Sequence, residues 1–434
     1  MRPSASAAAR IVKRLLGTVG ARSSGLRRGT LVLDLGWMGF VRDITMAPAW
    51  TLLSRPPVVP LPMASVGAAG GDPLPQVDPA ERYRGLPLLD LCLYDICVRS
   101  DRAVHDVTED PDLPERAALS FSLARPIIDT LSAWLDVFRP LQVVYPQGYV
   151  LPAAVLRALA LERGIGCIAL ENCFRSDRFI WDDGAGITLA SPLPRRLIEA
   201  GGPIEPTDAA TYFDRYRNSR HGLKAEEHRN RGGGSLPSSS GRRVLFLGQV
   251  STDSSVLFHL APGFRDQLGV MGQLLDHAAA RSGDVMLFKG HPKEAGGPTP
   301  VGTRYSIAKY GAFLDRMRTV GERTRIGVDL EGRIDVFDAI NWADLCVTIN
   351  SQSGLEAACR GKPVILCGDA AYDHLPGITK VRDAAGLSAA LAGPLPAADV
   401  VAAQSFFHGF CETYARPRSA LALRHLISER SGLH

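Results

Sequence analysis

The sequence predicts an α/β fold of two Rossmann-like domains facing a central cleft, with a closing C-terminal helix. Three observations predict it. Short apolar runs alternate with stretches of helical spacing, the signature of strand–helix–strand units in a parallel sheet. A run rich in Arg, Gly, Ser and Pro over residues 229–243 separates two such series. A chain of 434 residues, 46% of them hydrophobic, is also longer than one ordinary core serves.

Residues 1–30 read as a basic tail, with no acid before Asp34. The tail has no continuous apolar stretch, so no secretory signal is predicted. Ile11, Val12, Leu15 and Leu16 lie among Arg10, Lys13 and Arg14, a spacing that suits a short amphipathic helix on an anionic membrane. A disordered basic tail and a mitochondrial transit peptide are the other readings of the same composition. Residues 30–35 read as a buried strand, 56–75 as an irregular Pro/Gly-rich excursion, and 88–98 as a second strand. Residues 113–138 have helical spacing, with a break expected at Pro126. Strand 141–145, helix 149–163 and strand 167–170 follow as one strand–helix–strand unit.

After the linker come strands at 244–247, 285–289, 345–349 and 363–367, and helices at 271–281, 336–340 and 353–360. Residues 402–429 are mainly helical, broken at Pro417. The predicted division is therefore a tail (1–30), a first domain (31–228), a linker (229–243), a second domain (244–400) and a helical segment (401–434).

Composition excludes several classes of function. Charged residues are 22% of the chain and the net charge is +4, which gives no footprint for nucleic acid. The 8 cysteines form no CxxC pair and sit mostly in apolar runs, so buried thiols in a reducing compartment are expected, without metal spacing. No apolar stretch reaches the roughly 18 residues of a membrane span. The expected location is cytoplasmic, with peripheral contact to the membrane face or to export machinery through the tail. No GxGxxG follows the first strand, so no dinucleotide and no other cofactor is expected.

Ligands of open α/β sheets bind beyond the carboxyl ends of the strands, and three segments of the second domain are predicted there. In Lys289-Gly290-His291-Pro292-Lys293, Gly and Pro turn the chain sharply and leave ammonium and imidazole groups able to donate to a phosphate. A plain turn with solvated charges is the alternative. In Thr348-Ile349-Asn350-Ser351-Gln352-Ser353-Gly354-Leu355-Glu356-Ala357 a strand ends in small polar residues and a helix starts at once. Ser351 or Ser353 can cap that helix, and its amides can hold an anion. Glu356 suits a capping box with Ser353 or the hydroxyls of a ribose. Gly248-Gln249-Val250-Ser251-Thr252-Asp253-Ser254-Ser255 follows the first strand and is the weakest of the three signals.

Together these segments resemble the capsule polysaccharide biosynthesis family, which includes the Kdo transferases of capsule export systems. The matching stretches are Leu247-Gly248-Gln249-Val250 with Asp253-Ser254, Phe288-Lys289-Gly290-His291-Pro292, Ile349 to Ala357, and Gly361-Lys362-Pro363-Val364. The first domain adds Leu170-Glu171-Asn172-Cys173-Phe174, followed by Asp182 and Gly186. Cys173 stands where the family usually has Gly, and Gly290-His291-Pro292 where it has a Pro-His-Pro run. The likeness spans roughly residues 140–420, and residues 31–130 show none.

The resemblance implies a GT-B-like fold and sugar transfer from a nucleotide-sugar donor, CMP- or UDP-linked and often carrying an acid sugar. The acceptor would be a surface glycan or glycolipid. Lys289 and His291 would then hold the donor phosphate. Asn350, Ser351 and Ser353 would hold phosphate or a sugar carboxylate, with Glu356, Gln249 and Asp253 beside them.

Glu171 closes the strand 167–170, which puts its carboxylate in the cleft wall. There it can act on an acceptor hydroxyl or stabilise an oxocarbenium-like centre. The alternative is an ion pair with Arg175 or Arg178. Asp177, Asp182 and Asp183 are further candidates. His259 and His374 read as surface or capping residues. Trp37, Trp134, Trp181 and Trp342 read as core, with Trp181 the best placed to meet a sugar. No carboxylate pair stands beside the phosphate segments, so no metal is expected. Two rival functions share the two-domain plan: a non-catalytic protein of polysaccharide assembly or export, and a UDP-sugar epimerase.

Overall fold

The computed structural model describes residues 30–34, 41, 50–54, 76–183, 191–219, 234–238, 240–281, 283–291, 326–330 and 332–431, with isolated positions between 313 and 319. The expectations for the basic tail, the 56–75 excursion, Trp37, Pro292 and Lys293 fall outside these residues.

The first half contains β1 (Thr30–Asp34), β2 (Trp50–Ser54), a hairpin of β3 (Arg82–Tyr83) and β4 (Leu86–Pro87), then α1 (Leu88–Ser100), α2 (Val104–Thr108) and α3 (Leu113–Phe138). β5 (Gln142–Pro146), α4 (Leu151–Glu162), β6 (Gly166–Asn172), β7 (Arg178–Asp182), α5 (Leu193–Ala200) and α6 (Pro206–Asn218) complete it. The second half runs β8 (Arg243–Leu247), α7 (Ser254–His259), α8 (Gln267–Ala280), β9 (Val285–Lys289), β10 (Ile326–Asp329), α9 (Val336–Trp342), β11 (Leu345–Thr348), α10 (Gln352–Ala358), β12 (Val364–Leu366), β13 (Ile378–Lys380) and α11 (Ala384–Ala392). α12 (Val400–Gly409) continues into a π-turn over Phe410–Tyr414, then β14 (Arg416–Pro417) and α13 (Ala420–Ser431).

Two six-stranded sheets organise these elements, in the orders β14-β7-β6-β5-β1-β2 and β10-β9-β8-β11-β12-β13. Every pairing in the second sheet is parallel. Its order matches the doubly wound arrangement in which strands run outward from the first strand on both sides. The first sheet is parallel from β6 to β2, with β7 and β14 added antiparallel at one edge. The architecture is thus the two-domain, GT-B-like one that the sequence predicts.

The cores follow from the strand chemistry. β5, β8, β9, β11 and β12 are buried nearly throughout, as parallel strands covered on both faces must be. α1, α3 and α4 cover one face of the first sheet. α8 and α11 cover one face of the second. A third cluster joins the remaining faces, centred on Phe213, Phe407, Phe410 and Tyr414. No helix among the described residues is long and apolar enough to cross a membrane. All eight cysteines are buried and unbridged.

Two local expectations need correction. Residues 88–98 are helical, not a strand: Leu88, Leu91, Cys92, Asp95 and Ile96 are buried, which is the one-sided spacing of an amphipathic helix. The helix 113–138 does not break at Pro126. Ser122, whose carbonyl the proline ring deprives of an amide, is exposed and open to water. Of the linker, residues 234–238 and 240–243 are described, Arg243 already belongs to β8, and the Pro237 carbonyl accepts from the Trp342 indole at 3.0 Å.

Candidate functional site

The order of the second sheet reverses between β8 and β11, so the crevice beyond those two strands is its switch point, where doubly wound folds bind ligands. The turn after β8 occupies it. The Gly248 amide donates to the Lys289 carbonyl at 2.8 Å. A Cβ on Gly248 would come within 3.1 Å of that oxygen and 3.4 Å of the Gly290 Cα, so glycine lets the β8 and β9 turns touch backbone to backbone. The segment that reads weakest in the sequence is therefore the middle one of three. The Gly290-His291 and Asn350-Ser351 turns do not end neighbouring strands, because β8 lies between β9 and β11.

Gln249 and Asn350 clamp the switch point. Gln249 Nε2 donates to Asn350 Oδ1 at 2.8 Å, and the Asn350 amide donates back to Gln249 Oε1 at 3.0 Å. Asn350 Nδ2 donates to the Ser255 carbonyl at 2.8 Å, and Gln267 pairs with the Gln249 backbone. Both side chains are buried and satisfied. They join the two turns.

Ser351 is the cap of α10, accepting from the Ser353 amide at 3.2 Å. Its carbonyl accepts from the Tyr372 hydroxyl. The expected capping box of Ser353 and Glu356 does not form. Glu356 points inward, where its Oε1 accepts from the Tyr216 hydroxyl at 2.9 Å and from Gln352 Nε2 at 2.8 Å. Its other oxygen is buried without a hydrogen bond. Glu356 thereby ties α10 to α6 of the first half.

Lys289 also departs from expectation. It is 3% exposed and paired with Asp329 at 3.0 Å. Asp329 further accepts from the amides of Arg333 at 2.7 Å and Ile334 at 2.9 Å. The ammonium is neutralised inside the sheet and is not presented to a phosphate. His291, half-buried and two residues further on, stands beyond the strand end.

In the first half, β6 runs past Glu171 to Asn172, and Glu171 lies opposite Ile180 of β7. Each of the arginines predicted as its partners has another carboxylate beside it. Arg175 binds Asp177 at 2.6 Å, and Arg178 binds Glu412. Asp183 pairs with Arg430 at 3.0 Å, and Trp181 is buried beneath Tyr414 and Arg430 as a core residue.

Tyr94 on α1 links the halves electrostatically. Burial raises its hydroxyl above the ordinary tyrosine range, and the carboxylates of Asp253, Asp95 and Glu171 push it the same way. Asp253 of the second half and Glu171 of the first thus act on one hydroxyl. Asp253 is exposed and caps α7, accepting from the Ser255 amide at 2.9 Å. Beside it Phe258 stacks on Tyr149 with centroids 4.5 Å apart, and meets Tyr94 at 6.3 Å. The two sheets' carboxyl ends therefore face each other across an aromatic contact. Sequence reasoning missed Tyr94, Tyr149 and Phe258: Tyr149 follows the end of β5 closely, whereas Tyr94 and Phe258 lie within α1 and α7.

Asp95 carries a testable consequence of burial. It accepts the Leu151 amide at the start of α4, and burial pushes its carboxyl up to about 6 against the opposing pull of Arg99. The folded protein holds this proton up to about pH 6, whereas the unfolded chain releases it near 3.8. This group's contribution to stability is thus greatest below the unfolded value and is lost as pH rises through 6. Asp95→Asn is expected to be more stable than the parent at pH 7.5, by about 3 kcal/mol, and to match it below pH 4. Calorimetric melting curves at the two pH values check this.

The family model described as capsule polysaccharide biosynthesis protein matches residues 213–405, which take in the whole second sheet and its switch point. Among solved structures, a beta Kdo 2,7 transferase, KpsC, of Thermosulfurimonas dismutans aligns at 16% identity and TM-score 0.43, covering 70% of this chain and 89% of its own. A beta Kdo 2,4 transferase KpsC of the same organism aligns at 18% identity and TM-score 0.45, with coverages of 68% and 88%. The UDP-GlcNAc 2-epimerase of Neisseria meningitidis aligns at 11% identity and TM-score 0.28, with coverages of 65% and 74%. No curated protein matches the chain. Residues 213–405, the segment that builds the Gln249–Asn350 clamp and the turns around it, are thus the part of the chain that is similar to the capsule polysaccharide biosynthesis family.

Proposed function

We propose that the chain is a glycosyltransferase of capsule polysaccharide synthesis, moving a sugar from a nucleotide-sugar donor to a glycan or glycolipid acceptor. One observation carries this reading. Asp253, in the turn at the family-matched sheet's switch point, and Glu171 of the first half both act on the Tyr94 hydroxyl, beside the Tyr149–Phe258 contact. A donor held at the first and an acceptor held near the second would meet at one carboxylate.

In this reading residues 244–400 form the donor domain and 31–228 the acceptor domain. His291, Ser351 and the backbone of the 248–255 turn hold the donor, while Gln249, Asn350, Ser353, Glu356 and Lys289 shape its seat. Glu171 is the acid/base, with Asp253 opposite it. The donor is a CMP-linked acid sugar or a UDP-sugar, and the reaction runs without a metal. The work is done at the cytoplasmic membrane face, where lipid-linked acceptors are within reach.

Incubation with CMP-linked and UDP-linked sugars and short capsular oligosaccharides, followed by mass spectrometry, tests the reading. Elongation of the oligosaccharide supports it. Interconversion of a UDP-sugar without an acceptor favours the epimerase, and binding without any product favours an assembly protein. His291→Ala is expected to lower donor affinity roughly tenfold to a hundredfold, the loss of one charge-assisted hydrogen bond of about 1.5–3 kcal/mol. Its melting temperature should change little. Normal donor binding together with a steep loss of stability would make His291 a structural residue.

A further inference from the structure

Four described residues other than glycine have positive φ: Arg84, Asp101, Arg139 and Gln147. Three have a local reason. Arg84 precedes Gly85 in the turn between β3 and β4, and Asp101 and Arg139 end α1 and α3 as left-handed caps. Gln147, at φ 43°, neither caps a helix nor turns a hairpin. It stands at the carboxyl end of β5, directly before Gly148. A glycine takes this conformation freely, whereas an L-residue is strained in it. Strain held at one position by its surroundings is a mark of function.

The surroundings are specific. The first sheet reverses direction of growth between β1 and β5, so β5 ends at the first half's own switch point. The Gln147 amide donates to the Leu170 carbonyl at 3.0 Å, which fixes it against β6 one residue before Glu171. Two residues on, Tyr149 stacks on Phe258 of the second half. The Gln147 side chain is half-buried, and its carboxamide makes no hydrogen bond among the described residues.

We infer that Gln147 is a binding residue for the acceptor sugar, its carboxamide held at the first sheet's switch point to meet pyranose hydroxyls beside Glu171. A carboxamide both donates to and accepts from a hydroxyl pair, and it adds no negative charge next to a carboxylate. The inference rests on the proposed transfer reaction for its direction, from donor turns to first-half acceptor.

The test compares Gln147→Gly and Gln147→Asn with the parent. In Gln147→Gly, relief of strain offsets the greater freedom of the unfolded chain, so the melting temperature should stay within about 2 °C or rise. Its KM for a short capsular oligosaccharide should rise roughly tenfold, with binding of CMP or UDP alone unchanged. Asn tolerates positive φ and keeps the carboxamide, so it should recover part of the loss. A glycine variant with unchanged kinetics, or one that loses stability in step with activity, overturns the inference.

Direct calorimetry of the oligosaccharides separates this from the transfer reading. If the parent makes no product yet binds a glycan, weakened binding in Gln147→Gly still upholds the site and equal binding overturns it. A parent that binds none of the oligosaccharides overturns it as well.

Discussion

Glu171→Gln is expected to slow sugar transfer by roughly 10²–10⁴-fold while leaving donor affinity and melting temperature near those of the parent. That range is what a positioned general acid or base contributes. A change in rate without a change in ground-state binding marks an interaction made only in the transition state. The structure sharpens the expectation, because Arg175 and Arg178 are held by Asp177 and Glu412. Neutralising Glu171 therefore leaves both arginines with these counter-charges. Single-turnover transfer, donor binding and a melting curve on the same samples decide it. Full activity would move the search to Asp177, Asp182 and Asp183, of which Asp177 and Asp183 are bound to arginines.

Lys289→Ala is expected to cost about 3–5 kcal/mol of stability, the usual result of removing one partner of a buried ion pair. The unpaired Asp329 carboxylate would remain at 6% exposure, held by two backbone amides alone. A fall of roughly 10 °C in melting temperature is the readout. Lys289→Met combined with Asp329→Leu should recover most of the loss, since apolar replacement of both partners is often neutral. A lysine that held donor phosphate would behave otherwise, with normal melting and weakened donor binding.

The second sheet was largely legible in the sequence because its strands are buried on both faces. Val244-Leu245-Phe246-Leu247 and Val285-Met286-Leu287-Phe288 are continuous apolar runs, with no competing helical period. β10 escaped because Ile326-Gly327-Val328-Asp329 is an edge strand with Val328 exposed to 44%. β13 is three residues long, and β14 two. α1 was misread because helices packed on one sheet face carry enough apolar residues to resemble a buried strand.

The candidate site was legible as segments and not as roles. Strand order, which puts the Gly248 turn between the other two, is a property of topology that spacing does not encode. Lys289 looks exposed at a strand end until its partner Asp329 is placed on the unread neighbouring strand. The Tyr149–Phe258 contact joins two separate domains, so no local pattern announces it.

Late residues complete the first sheet. Gln142 at the start of β5 donates to the Ile427 carbonyl, 285 positions away, and the Trp181 carbonyl is bound by Tyr414, 233 positions away. β14 then covers the edge left by β7. During synthesis on a ribosome, the first half must therefore wait with an open strand edge while the whole second half emerges. At about 5–20 residues per second the wait is roughly 10–50 s. The nascent chain is most exposed to mispairing during that interval, and its final α12–α13 stretch acts as the stitch that ends it.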